Sequence, residues 1–339
     1  MSLAIVGFMI IIISCKKNEN ENVEPSFKGF VPPSHFPAPT YNFEKNPVTK
    51  EKFELGKALF FDPILSRDGT VSCGTCHKQY AAFSDYDHTV SHGIENKLGI
   101  RNSPGLFNLA WHPEFMWDGG INHIEVMPIS PITNPVEMDE SLVNVVAKLN
   151  QSSDYRKKFK AAFNVDIISS KETLLALTQY LGLLISDQSN YDKALRGEYT
   201  FTQIEQEGKS LFESKCSSCH IGTLFTDFSY RNNGLPYKSA NDKGRMSITN
   251  LSEDERKFKV PSLRNIAITR PYMHDGRFSS LEKVLDHYSN GIESSSTLDP
   301  LLQNKIPLTE DEKQKLIAFL NTLTDKTFTS NPDFKEPVK

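Results

Sequence analysis

The sequence predicts a mainly α-helical protein of two domains, and three observations predict it. Apolar residues recur at helical spacing over 50–61, 171–186 and 309–324, whereas alternating strand patterns are sparse. The segment Gly-Lys-Ala-Leu-Phe (56–60) precedes Cys-Gly-Thr-Cys-His (73–77), and Gly-Lys-Ser-Leu-Phe (208–212) precedes Cys-Ser-Ser-Cys-His (216–220), which reads as an internal duplication. A length of 339 residues suffices for two cores of ordinary size.

Taken in order, residues 1–15 form a lipoprotein-type signal. The apolar run is too short to span a bilayer, and Ile12, Ile13 and Ser14 before Cys15 make a lipobox that would place the protein in the periplasm or cell envelope, anchored through Cys15. A plain secretory signal with an incidental cysteine is the competing reading. Residues 16–40, rich in Asn, Glu, Pro and Ser, read as a tether. A first domain spans 41–199, with the 50–61 helix, the first Cys-x-x-Cys-His, a loop-rich middle and the 171–186 helix; SNYDKALRGEY then forms the crossover. A second domain spans 200–328. Its opening helix has Thr202 as a start signal with Glu205 three residues on, and it closes with the 309–324 helix. Residues 329–339 are a tail. The long loops 78–140 and 221–275 carry most of the remaining His, Trp and Arg, where function tends to sit.

A composition of 38% hydrophobic and 24% charged residues with net charge -4 is that of a soluble globular chain, with no basic excess to attract nucleic acid. Setting Cys15 aside, the remaining cysteines Cys73, Cys76, Cys216 and Cys219 all lie inside the duplicated motif, so disulfide stapling is a poor account of them. Cys-x-x-Cys-His on a short helical turn offers two thiols to the two vinyl groups of a haem and a histidine to its iron. Zinc does not require His after each pair, and a thioredoxin-type pair would not recur beside the same flanking pattern. The expectation is therefore two cytochrome c-like domains with long haem-wrapping loops, each binding one covalent haem c, with His77 and His220 as proximal ligands. Leu59, Phe60, Leu211 and Phe212 would pack against the haem faces.

The segments ELGKALFFDPILS, CGTCH, GIRNSPGLFN, MWDGG, NPVEM and KVPSLRNIAITRPYMHDGRFSSLEKVL together resemble the bacterial dihaem cytochrome c peroxidase and MauG family, over about residues 50–325. That resemblance implies a first, peroxidatic haem and a second haem that receives electrons from a small cytochrome c or similar donor. It implies Glu137 as the acid-base residue for hydrogen peroxide, His92 (rather than nearby His88) as a gating ligand of the first haem, and Trp117 as the bridge between haems, with Trp111 left to the core. It also implies one calcium ion held by Asn102 and by the backbone carbonyls of Thr269 and Pro271, and family members are often homodimers.

Two positions depart from the peroxidases. Tyr288 falls where they carry the methionine ligand of the second haem, as in MauG-type members; Met273, His274 and His287 are rival ligands, Met273 the foremost. Met127 stands where the family often places glutamine. A phenolate stabilises ferric iron, so Tyr288 suits a haem that holds high oxidation states. Three functions are open to such a chain: a peroxidase reducing hydrogen peroxide to water with cytochrome electrons; a MauG-like oxidase whose high-valent haems oxidise a protein or organic substrate; and a dihaem electron carrier without peroxide chemistry, in which Glu137 would be idle.

Overall fold

In a computed structural model, described over residues 27–86, 88–238 and 242–337, two helix pairs organise the chain. Helix Lys50–Phe61 crosses helix Ser170–Gly182 in the first half, and helix Gln203–Lys215 crosses helix Glu310–Asn321 in the second. The duplicated Gly-Lys-x-Leu-Phe explains both crossings. A Cβ on Gly56 would lie 2.0 Å from the Ala176 carbonyl oxygen, and one on Gly208 would lie 1.9 Å from that of Lys315. Only glycine permits backbones to approach so closely. Beyond the intervening lysine and Ala or Ser, the apolar pair turns inward: Leu59, Phe60 and Phe212 are buried and Leu211 is partly so.

The expected helix starts are present. Thr49 accepts from Lys52 N–H at the head of the 50–61 helix, and Thr202 and Glu205 form a reciprocal capping box. The 171–186 helix is shorter than its apolar pattern, ending at Gly182. A helix hairpin, Leu142–Gln151 and Ser153–Phe163, fills part of the middle that the sequence left as loop, each helix capped by a serine hydroxyl, Ser141 and Ser152. The strand content is one two-residue pairing among the described residues, Tyr230–Arg231 antiparallel to Phe258–Lys259. No helix among the described residues is long and apolar enough to cross a membrane.

Each half has its own core, but the chain ends do not respect the boundary at 328. Phe328 lies against Phe83 with ring centroids 5.6 Å apart, Phe334 is buried near Phe53, and Tyr180 Oη donates to the Phe334 carbonyl at 2.8 Å. The segment read as a tail is thus part of the first core. The tether expectation likewise fails over 27–40: Phe36 is buried edge-on to Trp111, Trp111 Nε1 donates to the Pro37 carbonyl at 2.8 Å, and Thr223 Oγ1 donates to the His35 carbonyl at 2.9 Å. The polar composition that suggested a linker belongs mostly to 16–26, whereas Phe27, Phe30 and Phe36 supply apolar surface to bury. Cys15 and the signal lie outside the described residues.

Candidate dihaem site

Local chemistry shapes both Cys-x-x-Cys-His turns alike. Ser72 caps a single helical turn, Cys73–Cys76, and His77 follows with its N–H bonded to the Cys73 carbonyl. In the second copy Cys216 ends the 203–215 helix, and the N–H groups of Cys219 and His220 return to its carbonyl. Each histidine then has its Nδ1 on a downstream carbonyl, His77 on Phe83 at 2.7 Å and His220 on Phe225 at 3.1 Å. Donation from Nδ1–H leaves the Nε2 lone pair for a metal and fixes the ring plane. Burial lowers the pKa of both imidazoles, which keeps them neutral as a ligand must be.

The four thiols are unpaired. Burial pushes Cys73 and Cys216 up to about 12 and Cys76 up to about 11, and also raises Cys219. Burial thus keeps them from the lowered thiol pKa that marks a reactive redox pair. Among the described residues no group of three or more His, Cys, Asp or Glu is gathered to hold a metal ion, so the two cysteine pairs do not meet in one zinc site. Thiol pairs, neutral histidines and apolar walls fit haem c in both halves.

Beside the first motif, the 88–98 loop and Glu137 come together. The Cys76 thiol donates to the His92 carbonyl at 3.5 Å, Ser91 Oγ donates to Glu137 Oε1 at 3.4 Å, and Ile94 N–H donates to the Glu137 carbonyl at 2.8 Å. Gly93 lies so close that a Cβ would sit 2.2 Å from the Val136 carbonyl oxygen, so the loop is pinned to the Asn134–Glu137 turn. Burial raises the Glu137 pKa, against hydrogen bonds from Ser91 and Asn134 that lower it. The His88 and His92 rings are 4.2 Å apart, and His88 Nδ1 bonds Asp85 at 3.2 Å. Met127 is buried in the apolar core of this half.

The second site gathers the rival ligands. Asn233 Nδ2 donates to the Met273 sulfur at 3.5 Å and also bonds the Tyr288 hydroxyl, while its carbonyl faces His287 Nε2 at 2.9 Å. Burial and the nearby Cys219 and Cys216 thiols raise the Tyr288 pKa, and the Asn233 bond opposes them. Tyr288 lies in a π-helical turn, His287–Gly291, a distortion common at functional sites. His274 is directed elsewhere, stacked on Phe258 with centroids 3.7 Å apart.

Between the halves, the duplication extends further than the Gly-Lys-x-Leu-Phe and Cys-x-x-Cys-His segments. Residues 101–121 align with 258–278 without a gap. Pro104 matches Pro261, and both neighbour a proximal histidine. The Phe115–Ile121 bridge matches the Tyr272–Phe278 bridge, and Met116 and Met273 share left-handed φ of 65° and 74°. Trp117 matches His274 and Asn102 matches Lys259. Two reciprocal hydrogen bonds join the copies: Asn102 N–H to the His274 carbonyl at 2.8 Å and Lys259 N–H to the Trp117 carbonyl at 2.7 Å. Trp117 Nε1 donates to the Asn102 carbonyl at 2.9 Å, so the indole is fixed at this junction. The Asn102 amide holds the His88 and Thr89 carbonyls, and the 269–271 turn contains a cis Arg270–Pro271 bond. Asn233, Ser91 and Lys259 were missed by sequence reasoning; aligning the two copies would have singled out Lys259.

A family model described as Di-haem cytochrome c peroxidase matches residues 50–200. The chain is 38% identical to the methylamine utilization protein MauG of Methylorubrum extorquens over 82% of this chain and 79% of that protein. It is 36% identical to the cytochrome c551 peroxidase of Nitrosomonas europaea over 86% and 84% respectively. Among solved structures, a MauG-like protein associated with microbial copper homeostasis superposes with a TM-score of 0.84 at 34% identity, covering 90% of this chain and 98% of that one. With two Cys-x-x-Cys-His turns whose chemistry fits haem c, the chain belongs to the dihaem cytochrome c peroxidase and MauG family, oxidoreductases that act on peroxide with two haems.

Proposed function

We propose that the protein reduces hydrogen peroxide at its first haem, with electrons passed across Trp117 from a second haem fed by a small cytochrome c-like donor. The observation that carries this reading is Glu137, a carboxylate with raised proton affinity packed against the loop that closes over the first attachment site. When bound, the first haem supplies an iron that takes peroxide and the electrons for O–O cleavage. The Glu137 carboxylate takes the proton from the near peroxide oxygen and returns it to the far one, which leaves as water. Ser91 orients that carboxylate. Gly93 packs the His92 loop against the Val136 carbonyl, and in this reading the His92 imidazole is the group that opens and closes the site. The test is steady-state turnover of peroxide with a reduced small cytochrome c; a holoprotein that binds peroxide but does not oxidise the donor would sink it.

A second reading, MauG-like oxidation of a protein or organic substrate, is favoured by Tyr288. Its hydroxyl shares Asn233 with the Met273 sulfur, so both reach one site and the π-turn presents the phenol there. With Tyr288 as ligand, Tyr288→Phe is expected to change the optical and EPR spectrum of the second haem while Met273→Leu leaves it nearly unchanged. The reverse pattern assigns Met273 and favours the donor-driven peroxidase.

Calcium fits the oxygen donors of Asn102, Thr269 and Pro271, hard ligands on a turn to which Asn102 is already hydrogen-bonded through His274. Asn102→Ala is expected to lower bound calcium from one ion per chain to none by elemental analysis; an unchanged content would remove Asn102 from the ligand set.

A further inference from the structure

At the junction the two copies of the repeat share a backbone and differ in charge. Lys259 stands where its counterpart is Asn102, and its ammonium donates at 2.6 Å to the main-chain carbonyl of Glu114, the counterpart of Pro271. The side chain therefore reaches the place that corresponds, on the other face of the junction, to the oxygen donors proposed for calcium. The Glu114 carboxylate is not its partner, being held by Tyr230 Oη at 2.5 Å and Arg245 Nη1 at 3.1 Å. Among the described residues no carboxylate lies within ion-pair distance of Lys259.

The groups facing it are few. Glu114 and Asp118 attract its charge, Arg245 stands beyond Glu114, and Tyr230 is kept protonated by burial and by Glu114. His112 is held well below the usual imidazole range by burial and by Lys259 itself, so it carries no charge near neutrality. The ammonium thus rests on the Glu114 carbonyl, 6.0 Å from the centre of the Phe115 ring, while the Lys259 backbone N–H takes the Trp117 carbonyl; the neighbouring cations Arg101 and Arg245 are already held by the Asp118 and Glu114 carboxylates.

We propose that Lys259 is a resident cation of the inter-haem junction, a positioning residue that raises the reduction potentials of the groups flanking Trp117 through a proton-dependent charge. A nearby positive charge opposes removal of an electron, and the more so where water is excluded. Burial pushes the Lys259 ammonium down to about 8, against the pull of Glu114 and Asp118. Below that pH the charge is present and the potentials are high; above it the amine is neutral and they are lower. Were a flanking haem reduced, the added negative charge would favour the ammonium, and Lys259 would hold its proton to higher pH.

The proposal rests on the reading of Trp117 as the bridge, and the experiment separates the two. Spectroelectrochemical titration of the haem-loaded protein across about pH 6–10 spans the ordinary and lowered lysine range. Wild type is expected to show haem potentials that decline through about pH 8. Lys259→Arg should keep the high potentials with no such decline, and Lys259→Met should give low potentials without it. Wild-type potentials flat through this range, a Lys259→Arg profile that still declines there, or a Lys259→Met profile matching wild type would each overturn the proposal. The arginine variant decides the matter if the methionine variant fails to take up haem. Trp117→Phe should slow inter-haem electron transfer and leave the pH profile of the potentials intact; unchanged transfer would discard the bridge and not the cation.

Discussion

Glu137→Gln is expected to slow the reaction with hydrogen peroxide by roughly 10²–10⁴-fold, the range that general acid-base catalysis contributes, while both haems stay attached and the fold becomes no less stable. The substituted amide could still accept from Ser91 and fill the same volume, but it cannot take a proton from peroxide. The stability sign follows from burial, which raises the carboxyl pKa in the folded state. A group of that kind favours the fold when protonated, and the contribution is lost as pH rises through its folded pKa. At neutral pH the ionised Glu137 therefore weighs against folding, and a neutral isostere relieves it. For the wild type the reactive base form is present above the raised pKa, so peroxide reactivity should decline on acidification at a pH above the ordinary glutamate range. Stopped-flow mixing with peroxide over a pH series, with melting curves of both proteins, checks both statements. A variant that reacts at the wild-type rate would support the dihaem electron carrier.

Arg264→Met should cost about 3–5 kcal/mol of stability, as expected when one partner of a buried ion pair is removed. Arg264 is only 1% exposed and makes two bonds to the fully buried Asp192, at 2.9 and 2.7 Å. It also donates to the Thr223 carbonyl at 2.7 Å and the Ser186 carbonyl at 3.3 Å, and its guanidinium lies 4.5 Å from the Phe36 ring centre. The crossover, the loop after the second haem motif and the N-terminal strap all meet on this one side chain. Burial alone would raise the Asp192 carboxyl, but hydrogen bonds and charge from Arg264, with help from Ser189, hold it below the usual range. That stabilisation is present at neutral pH and is lost as acid takes the pH down through the lowered folded pKa. Denaturant unfolding of the haem-loaded single variants and of Arg264→Met with Asp192→Asn measures the pair. A double variant less stable than Arg264→Met alone would contradict the ion-pair account, because the second change removes the stranded buried charge.

Helix 50–61 and the capping box at Thr202 were legible because their signals are local: a hydroxyl before the first turn and apolar residues on one face. The hairpin 142–163 carries capping serines, Ser141 and Ser152, yet reads in the sequence as part of the loop-rich middle. The strap at 27–40 and the C-terminal return were not legible, because a few aromatic residues in polar sequence declare burial only when a distant partner is known. Phe328 meets Phe83, and His35 meets Asp192. At the site, the haem attachment turns follow from spacing alone. Glu137 does not: NPVEM has no intrinsic acid-base signature, and only the family resemblance proposes the residue. Lys259 was invisible in a linear reading, since its contact with Glu114 spans 145 positions.

The two copies facing one another across the junction make the molecule an experiment that carries its own control. At each matched pair the same backbone course and the same reciprocal hydrogen bond present different side chains, indole against imidazole, amide against ammonium. Exchanging Asn102 with Lys259 would preserve the composition, length and net charge of the chain while reversing the asymmetry of the junction. A behaviour that moves with the exchanged side chains is a property of their chemistry; one that stays with each half is a property of the surrounding fold. Divergence after duplication has thus left the two sides of the junction told apart by a handful of substitutions on a shared backbone course.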